Sequence, residues 1–257
     1  MQGNRTALTG RRGDMAMGIA AAETAGTGIG APDLGRVAPP DDIRRLRGLV
    51  AQMGGLAEQA IAEAMTALAR GDAELATSIR TADRQIDAMA AEVERSVVQL
   101  LGGRTLGGIE LREAIGALKI AAVIERIADY AKNIAKRVPT IAATGRIGPI
   151  DLLPTMGRMA GEMVRDALDA FAARDPASAA EVCRRDRALD EVHAGVFRML
   201  VEHMAANPAT VEQAAHLLFV AKNLERIGDH ATNLAEMVYF AATGEQMAER
   251  QRGASAG

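Results

Sequence analysis

Residues 125–135 read Glu-Arg-Ile-Ala-Asp-Tyr-Ala-Lys-Asn-Ile-Ala, and residues 225–235 read Glu-Arg-Ile-Gly-Asp-His-Ala-Thr-Asn-Leu-Ala. Seven of the eleven positions agree, and the agreement includes the polar ones. Glu125, Asp129 and Asn133 stand at i, i+4 and i+8, as do Glu225, Asp229 and Asn233. That spacing lines three oxygen-bearing side chains along one face of a helix. A helix copied only for packing would keep its apolar positions and let its polar ones drift. The repeat therefore predicts helices that carry a site, present in two copies.

The duplication extends outward from this stretch. A shift of 103 places Met53-Gly54 on Met156-Gly157, Glu63 on Asp166, Asp72 on Asp175, Asp83-Arg84 on Asp186-Arg187, and Asp87 on Asp190. The shift falls to 100 at Glu125 and Glu225, so three residues differ in the loop before the motif, near Gly102-Gly103-Arg104 and Asn207-Pro208. A repeat of about a hundred residues exceeds the roughly 20–50 of a solenoid unit, and two fused copies of a small domain fit better.

Helix signals divide each copy into three. Pro39-Pro40-Asp41-Asp42 opens the first helix, which Gly71 stops after Arg70. Asp72 caps the second, which ends near Gly102-Gly103; the third spans about Ile109 to Thr144-Gly145. After Gly148-Pro149 the fourth runs from Asp151 to Arg174, and Asp175-Pro176 starts the fifth as an N-cap followed by proline at the first helical position. Thr210-Val-Glu-Gln213 has the form of a capping box and starts the sixth, which ends near Gly244. The expected fold is all-α: six long helices in two tandem, sequence-related antiparallel three-helix bundles, at 40–147 and 148–244. Residues 1–39, rich in Gly, Ala and Thr, read as a disordered tail, and 245–257 as a flexible one.

Composition agrees and narrows the function. Aromatics make up 2% of the 257 residues and Trp is absent, as suits helices better than strands. A formal charge of −3 gives no basic footprint for nucleic acid. The single cysteine, Cys183, permits no disulfide within the chain. No apolar run approaches the roughly 18 residues of a membrane span. Arg11-Arg12 precedes an apolar stretch, but Asp14 and Glu23 interrupt it, against an export signal.

On helical angles, Ile120, Ile124, Ile127, Ala131 and Ile134 face one side of the third helix, and Glu125, Asp129 and Asn133 the other. The sixth helix repeats the arrangement. Asp83 and Asp87 flank the apolar stripe of the second helix, and Asp186 and Asp190 that of the fifth, so each pair leans toward the neighbouring acidic row. Each bundle is thus expected to gather four carboxylates and an amide oxygen on its surface: Asp83, Asp87, Glu125, Asp129 and Asn133 in one, Asp186, Asp190, Glu225, Asp229 and Asn233 in the other. Such crowding calls for counter-charge. Oxygen-only ligands suit hard cations such as magnesium or manganese, and iron also accepts carboxylates. The plainer reading is a solvated face neutralised by Arg80, Arg84, Arg126 or Lys136.

Met53-Gly54-Gly55, Asp83-x-x-Ile-Asp87, Ala117-Leu-Lys-Ile120 and the paired Glu-Arg-Ile-x-Asp segments resemble the PhoU family, over about residues 42–243. The resemblance implies two three-helix bundles with surface metal clusters, of iron or zinc in some members, and a non-enzymatic role. It implies a negative regulator of phosphate uptake and of phosphate-starvation signalling. Such a protein acts in the cytoplasm as an adaptor, reaching the inner membrane only through two partners, the phosphate-sensing histidine kinase and the ATPase subunit of the phosphate ABC transporter. It also favours a homodimer. Two departures stand out: Ala128 replaces the usual Gly of the first motif, and Tyr130 stands where His230 stands in the second.

An alternative is a metal-dependent phosphoesterase, or a metal-binding structural bundle, built on the same carboxylates. The sequence offers such an enzyme no evident general base, Gly-rich phosphate loop or arginine clamp. Arg44, Arg45 and Arg47 read as a solvated helix end, and His193, His203 and His216 as surface or edge residues.

Overall fold

The computed structural model describes residues 41–143 and 147–248. The tails expected at 1–39 and, for the most part, at 245–257 lie outside the described residues. Seven α-helices are present among those described: α1 (Asp41–Arg70), α2 (Ala73–Gly103), α3 (Gly108–Ala135), the short α4 (Val138–Ala143), α5 (Leu153–Ala173), α6 (Pro176–Ala206) and α7 (Val211–Thr243). Single 3-10 turns at Gly148–Leu152 and Pro208–Thr210 lead into α5 and α7. The described residues contain no strand. α1, α2 and α3 pack on one another as one bundle, and α5, α6 and α7 as a second. The bundles meet along α1 with α5 and along α3 with α7.

Helix ends follow local chemistry. The Asp72 side chain accepts from the Leu75 N–H at 2.9 Å, and that of Asp175 accepts from Ala177 and Ser178 at 2.9 and 3.3 Å. α1 closes through Gly71 at φ +68°, with the Asp72 N–H on the Ala67 carbonyl at 2.9 Å. α5 closes in the same way through Arg174 at φ +55°, with the Asp175 N–H on Ala170 at 2.9 Å. The same left-handed turn thus uses glycine in one repeat and arginine in the other.

Two expected boundaries change, and one expected cap does not form. The third helix stops at Ala135 rather than near residue 144, because Pro139 has no N–H to give the Ala135 carbonyl. The Arg137 N–H turns instead to the Ile134 carbonyl at 3.0 Å, and α4 starts a new direction. α7 has Tyr239 at the corresponding position and runs unbroken to Thr243. The fourth helix begins at Leu153 rather than Asp151, after its 3-10 turn. The expected capping box at Thr210 does not form. The Thr210 hydroxyl reaches back to the Asn207 carbonyl and to His203 (2.9 and 3.0 Å), while Gln213 is buried and donates to the Ile141 carbonyl at 3.4 Å.

The seam between bundles is reciprocal. A Cβ on Gly54 would lie 2.6 Å from Leu168, and one on Gly157 would lie 2.6 Å from Met65. The shift of 103 exchanges these pairs, so each repeat's glycine receives the other repeat's large side chain. Met53 and Met156, beside the two glycines, are fully buried, worth about 2–3 kcal/mol each in apolar transfer. Along α3 and α7 the seam joins another matched pair. The Tyr130 hydroxyl lies 3.2 Å from His230 Nε2, with ring centroids 5.3 Å apart.

Candidate metal centre

Each acidic cluster is built where the outer face of a motif helix meets the flank of its neighbour. In the second bundle, α7 turns Ile227, Ala231 and Leu234 into the core and leaves Glu225 and Asp229 on the outside. α6 buries Leu189 and Val196, which brings Asp186 and Asp190 alongside. Gly228 makes that approach possible, because Leu189 fills the space that a Cβ at 228 would need.

Here Asp190, Glu225 and Asp229 each offer an oxygen within 4.8 Å of the others. Lys222 reaches Glu225 at 2.6 Å from one turn earlier. Asp190 and Asp229 accept no hydrogen bond from any described residue, and one oxygen of Asp186, fully enclosed, has no donor. The electrostatics record this shortage. Partial burial, then repulsion from Glu225 and Asp186, pushes the Asp229 carboxyl up to about 6. Asp186 is raised by burial and by Asp190 against the lowering effect of the Thr232 hydroxyl, and Asp190 by burial and by Glu225. Three convergent carboxylates with a fourth behind them make an oxygen-only donor set, and its chemistry fits a hard divalent cation or high-spin iron.

The first bundle solves the same problem internally. Lys132, from the turn after Asp129, places its ammonium between Asp83 and Asp129 and donates to both. Asp83 is only 8% exposed, so this contact neutralises a buried carboxylate. Burial opposes the Lys132 charge, but the bonds to Asp129 and Asp83 outweigh it and raise its pKa. Asp87 remains exposed, its carboxyl raised by slight burial and by Asp83. Glu125 is half-buried and stands outside the lysine contact. The counter-charge is therefore Lys132, and not Arg80, Arg84, Arg126 or Lys136. At the corresponding position the second bundle has Thr232, whose hydroxyl donates to the Gly228 carbonyl at 3.0 Å.

The amides take other partners. Asn133 accepts from Lys136 at 3.3 Å, and Asn233 lines a cleft with Ile115, Lys119 and Phe240. His230 stacks on Tyr130 at the seam, where burial and the charges of Arg126 and Arg226 lower its pKa. A sign of Lys132 was visible in sequence: it stands at i+3 from Asp129, and the one charged residue in the motif that its copy lacks is this lysine.

Comparison with known proteins bears on both bundles. The family model of the PhoU domain matches residues 50–138 and again 153–238. The phosphate-specific transport system accessory protein PhoU homolog of Zymomonas mobilis is 48% identical over 213 residues, covering 83% of this chain and 90% of that protein. Its counterpart in Caulobacter vibrioides is 38% identical over 212 residues, covering 82% and 92%. The crystal structure of PhoU from Pseudomonas aeruginosa superposes with a TM-score of 0.77 at 31% identity, covering 79% of this chain and 98% of that one. The phosphate transport system regulatory protein PhoU from Streptococcus pneumoniae shares the fold, with a TM-score of 0.74 at 23% identity, covering 80% and 98%.

Proposed function

The chain belongs to the PhoU family, and from that premise we propose that it is an accessory regulator of phosphate transport that holds uptake and phosphate-starvation signalling down when phosphate is plentiful. The observation that carries this reading is the match of both bundles, over nearly the whole length of relatives named as phosphate-specific transport accessory proteins. In this reading the chain is a cytosolic adaptor, and not an enzyme. It links the phosphate-sensing histidine kinase to the ATPase subunit of the phosphate ABC transporter, and works as a homodimer. No described helix is long and apolar enough to cross a membrane, so contact with the inner membrane runs through those two partners.

The second bundle's cluster supplies the metal site. Asp190, Glu225 and Asp229 hold the cation, with Asp186 behind them. Bound there, the metal ties α6 to α7 and cancels the charge of an exposed acidic face, which changes what that face can dock against. Magnesium, manganese, zinc and iron are all compatible with carboxylate ligands.

The test is genetic. Deleting the gene should switch on alkaline phosphatase and the transporter genes in cells growing on ample phosphate, and the wild-type chain should restore repression. Pull-down from the complemented strain should recover the kinase and the transporter ATPase. A deletion strain that stays fully repressed would sink the regulatory reading.

A further inference from the structure

A pocket of about 220 Å³ opens where α1, the start of α3 and the C-terminal ends of α5 and α7 meet. Ile109, Phe171 and Val238 form apolar wall, and three arginines enter: Arg47, Arg112 and Arg174. Among the lining residues the sole carboxylate is Glu113, and Arg174 pairs with it. Arg47 is not part of a solvated helix end: unlike Arg44 and Arg45, which pair with Asp41 and Glu92, it donates to the Ala172 carbonyl at 2.6 Å. Arg47 therefore has no carboxylate in direct contact, and Glu113 acts on it only through space. Burial and the neighbouring Arg174 charge lower the Arg47 pKa, against the smaller opposing pull of Glu113.

Arg112 is the least satisfied of the three. It makes no hydrogen bond or ion pair with any described residue, and its Nε is enclosed by protein without an acceptor. Gly244, at φ +79°, closes the end of α7 onto it, since a Cβ there would lie 3.5 Å from the guanidinium carbon. A guanidinium has five donors and no acceptor, so leaving it half-buried and unpaired is costly unless something else binds it.

The other repeat carries no such group of arginines. The positions that match Arg47, Arg112 and Arg174 in the other repeat are Ile150, Glu212 and Gly71. None is basic. At the left-handed turn the first repeat uses glycine, which suits that conformation. The second repeat uses arginine at a cost of about 1–2 kcal/mol, and thereby places the third guanidinium in the pocket. Three positive groups and one negative leave an excess of two in a half-enclosed site, on a chain whose net charge is −3.

We propose that this pocket binds a phosphoryl dianion, as inorganic phosphate or as the phosphate of a small ester, with Arg112 as its anchor and Arg47 and Arg174 flanking. A doubly charged anion balances the excess, and its several oxygens can accept from more than one guanidinium fork at once. The inference stands on the arginines alone and does not depend on the metal centre.

Calorimetric titration of the full chain tests it, with inorganic phosphate, glycerol 3-phosphate, sulfate, and chloride at matched ionic strength. Saturable binding of phosphate or of the ester is expected, and the tighter of the two identifies the source. Arg112→Gln should weaken it at least tenfold, and Arg112→Lys, which keeps the charge but loses the fork, should fall between. Circular dichroism melts should show both variants folded, with phosphate raising the melting temperature most for the native chain, less for Arg112→Lys and least for Arg112→Gln. Equal binding by Arg112→Gln, tighter binding of sulfate than of either phosphate probe, or the same response to chloride would overturn the proposal.

Discussion

Lys132 and Thr232 occupy matched positions in the two bundles and give their acidic clusters opposite characters. In the first bundle an ammonium group from the chain sits between Asp83 and Asp129. In the second, Lys222 bonds only to Glu225, and Asp190 and Asp229 converge on it with no ammonium between them, their carboxyls harder to ionise. Duplication placed the carboxylates twice; the side chain at 132 or 232 sets how much of each cluster is neutralised from within. One consequence is that binding should be unequal, with one cation per chain, in the second bundle.

The largest effect should come from opening the closed cluster. In Lys132→Thr, Asp83 stays buried without its partner, and chelator-treated protein should lose about 3 kcal/mol of stability, the low end for breaking a buried pair. Urea denaturation measures this. Added manganese should recover most of the loss, and elemental analysis should rise from one metal per chain to two. Unchanged stability and stoichiometry would remove the contrast drawn between the bundles.

The reverse exchange, Thr232→Lys, should close the open cluster. Metal content should fall toward zero, while chelator-treated protein gains on the order of 1 kcal/mol, because these carboxylates are exposed enough for solvent to screen much of their repulsion. A variant that still binds one metal would place the site elsewhere.

The two clusters should also differ in their response to pH. The Asp229 carboxyl is raised above its unfolded value to about 6, so between about pH 4 and 6 the folded chain holds more protons than the unfolded one. Chelator-treated protein therefore loses stability from this group as pH rises through that window, and metal affinity, which needs the carboxylate, falls as pH drops below about 6. Lys132 is also raised, but there it is the charged form that the fold favours. Its raised pKa contributes stability that is present below its unfolded value and lost as pH rises through the folded one, above about 10.5. Calorimetric metal titrations at pH 5 and 7, and melts between pH 9 and 11, check the pair.

The last comparison concerns helix spacing. Ala128→Gly should cost about 1 kcal/mol, the helix penalty of glycine. Gly228→Ala recovers that propensity, but pushes on Leu189 and should destabilise on balance by about 1–2 kcal/mol through overpacking. Thermal melts of the two variants would measure how much closer α6 and α7 must approach than α2 and α3.

Much of this architecture was legible before any coordinates. Asp72 and Asp175 cap as their positions foretold, and Gly71 ends α1 because the turn after it is left-handed. The six long helices follow from periodicity, as does the outer-face position of Asp129 and Asp229. What escaped did so for definite reasons. Pro139 stood inside an apolar pattern that continues into α4, so the pattern concealed the break. Thr210 has the residue type of a cap, but His203 and Asn207 compete for its hydroxyl. The angles that put Asp129 on an outer face say nothing about which cation reaches it, so Lys132 was overlooked in favour of more distant arginines. The pocket arginines come from α1, α3 and the turn after α5, and are brought together only by the packing of one repeat on the other.

That packing has a consequence for how this sequence can change. Gly54 and Leu168 form one contact, Met65 and Gly157 its mirror image, and neither repeat contains both halves of either. The seam is in effect a homodimer interface enclosed within a single polypeptide. A larger residue at 54 would have to be answered by a smaller one at 168, more than a hundred positions away, and the mirrored pair could stay as it was. Once fused, the two copies became free to diverge in what they bind, as Lys132 and Thr232 did, yet each remained answerable to the other for its shape.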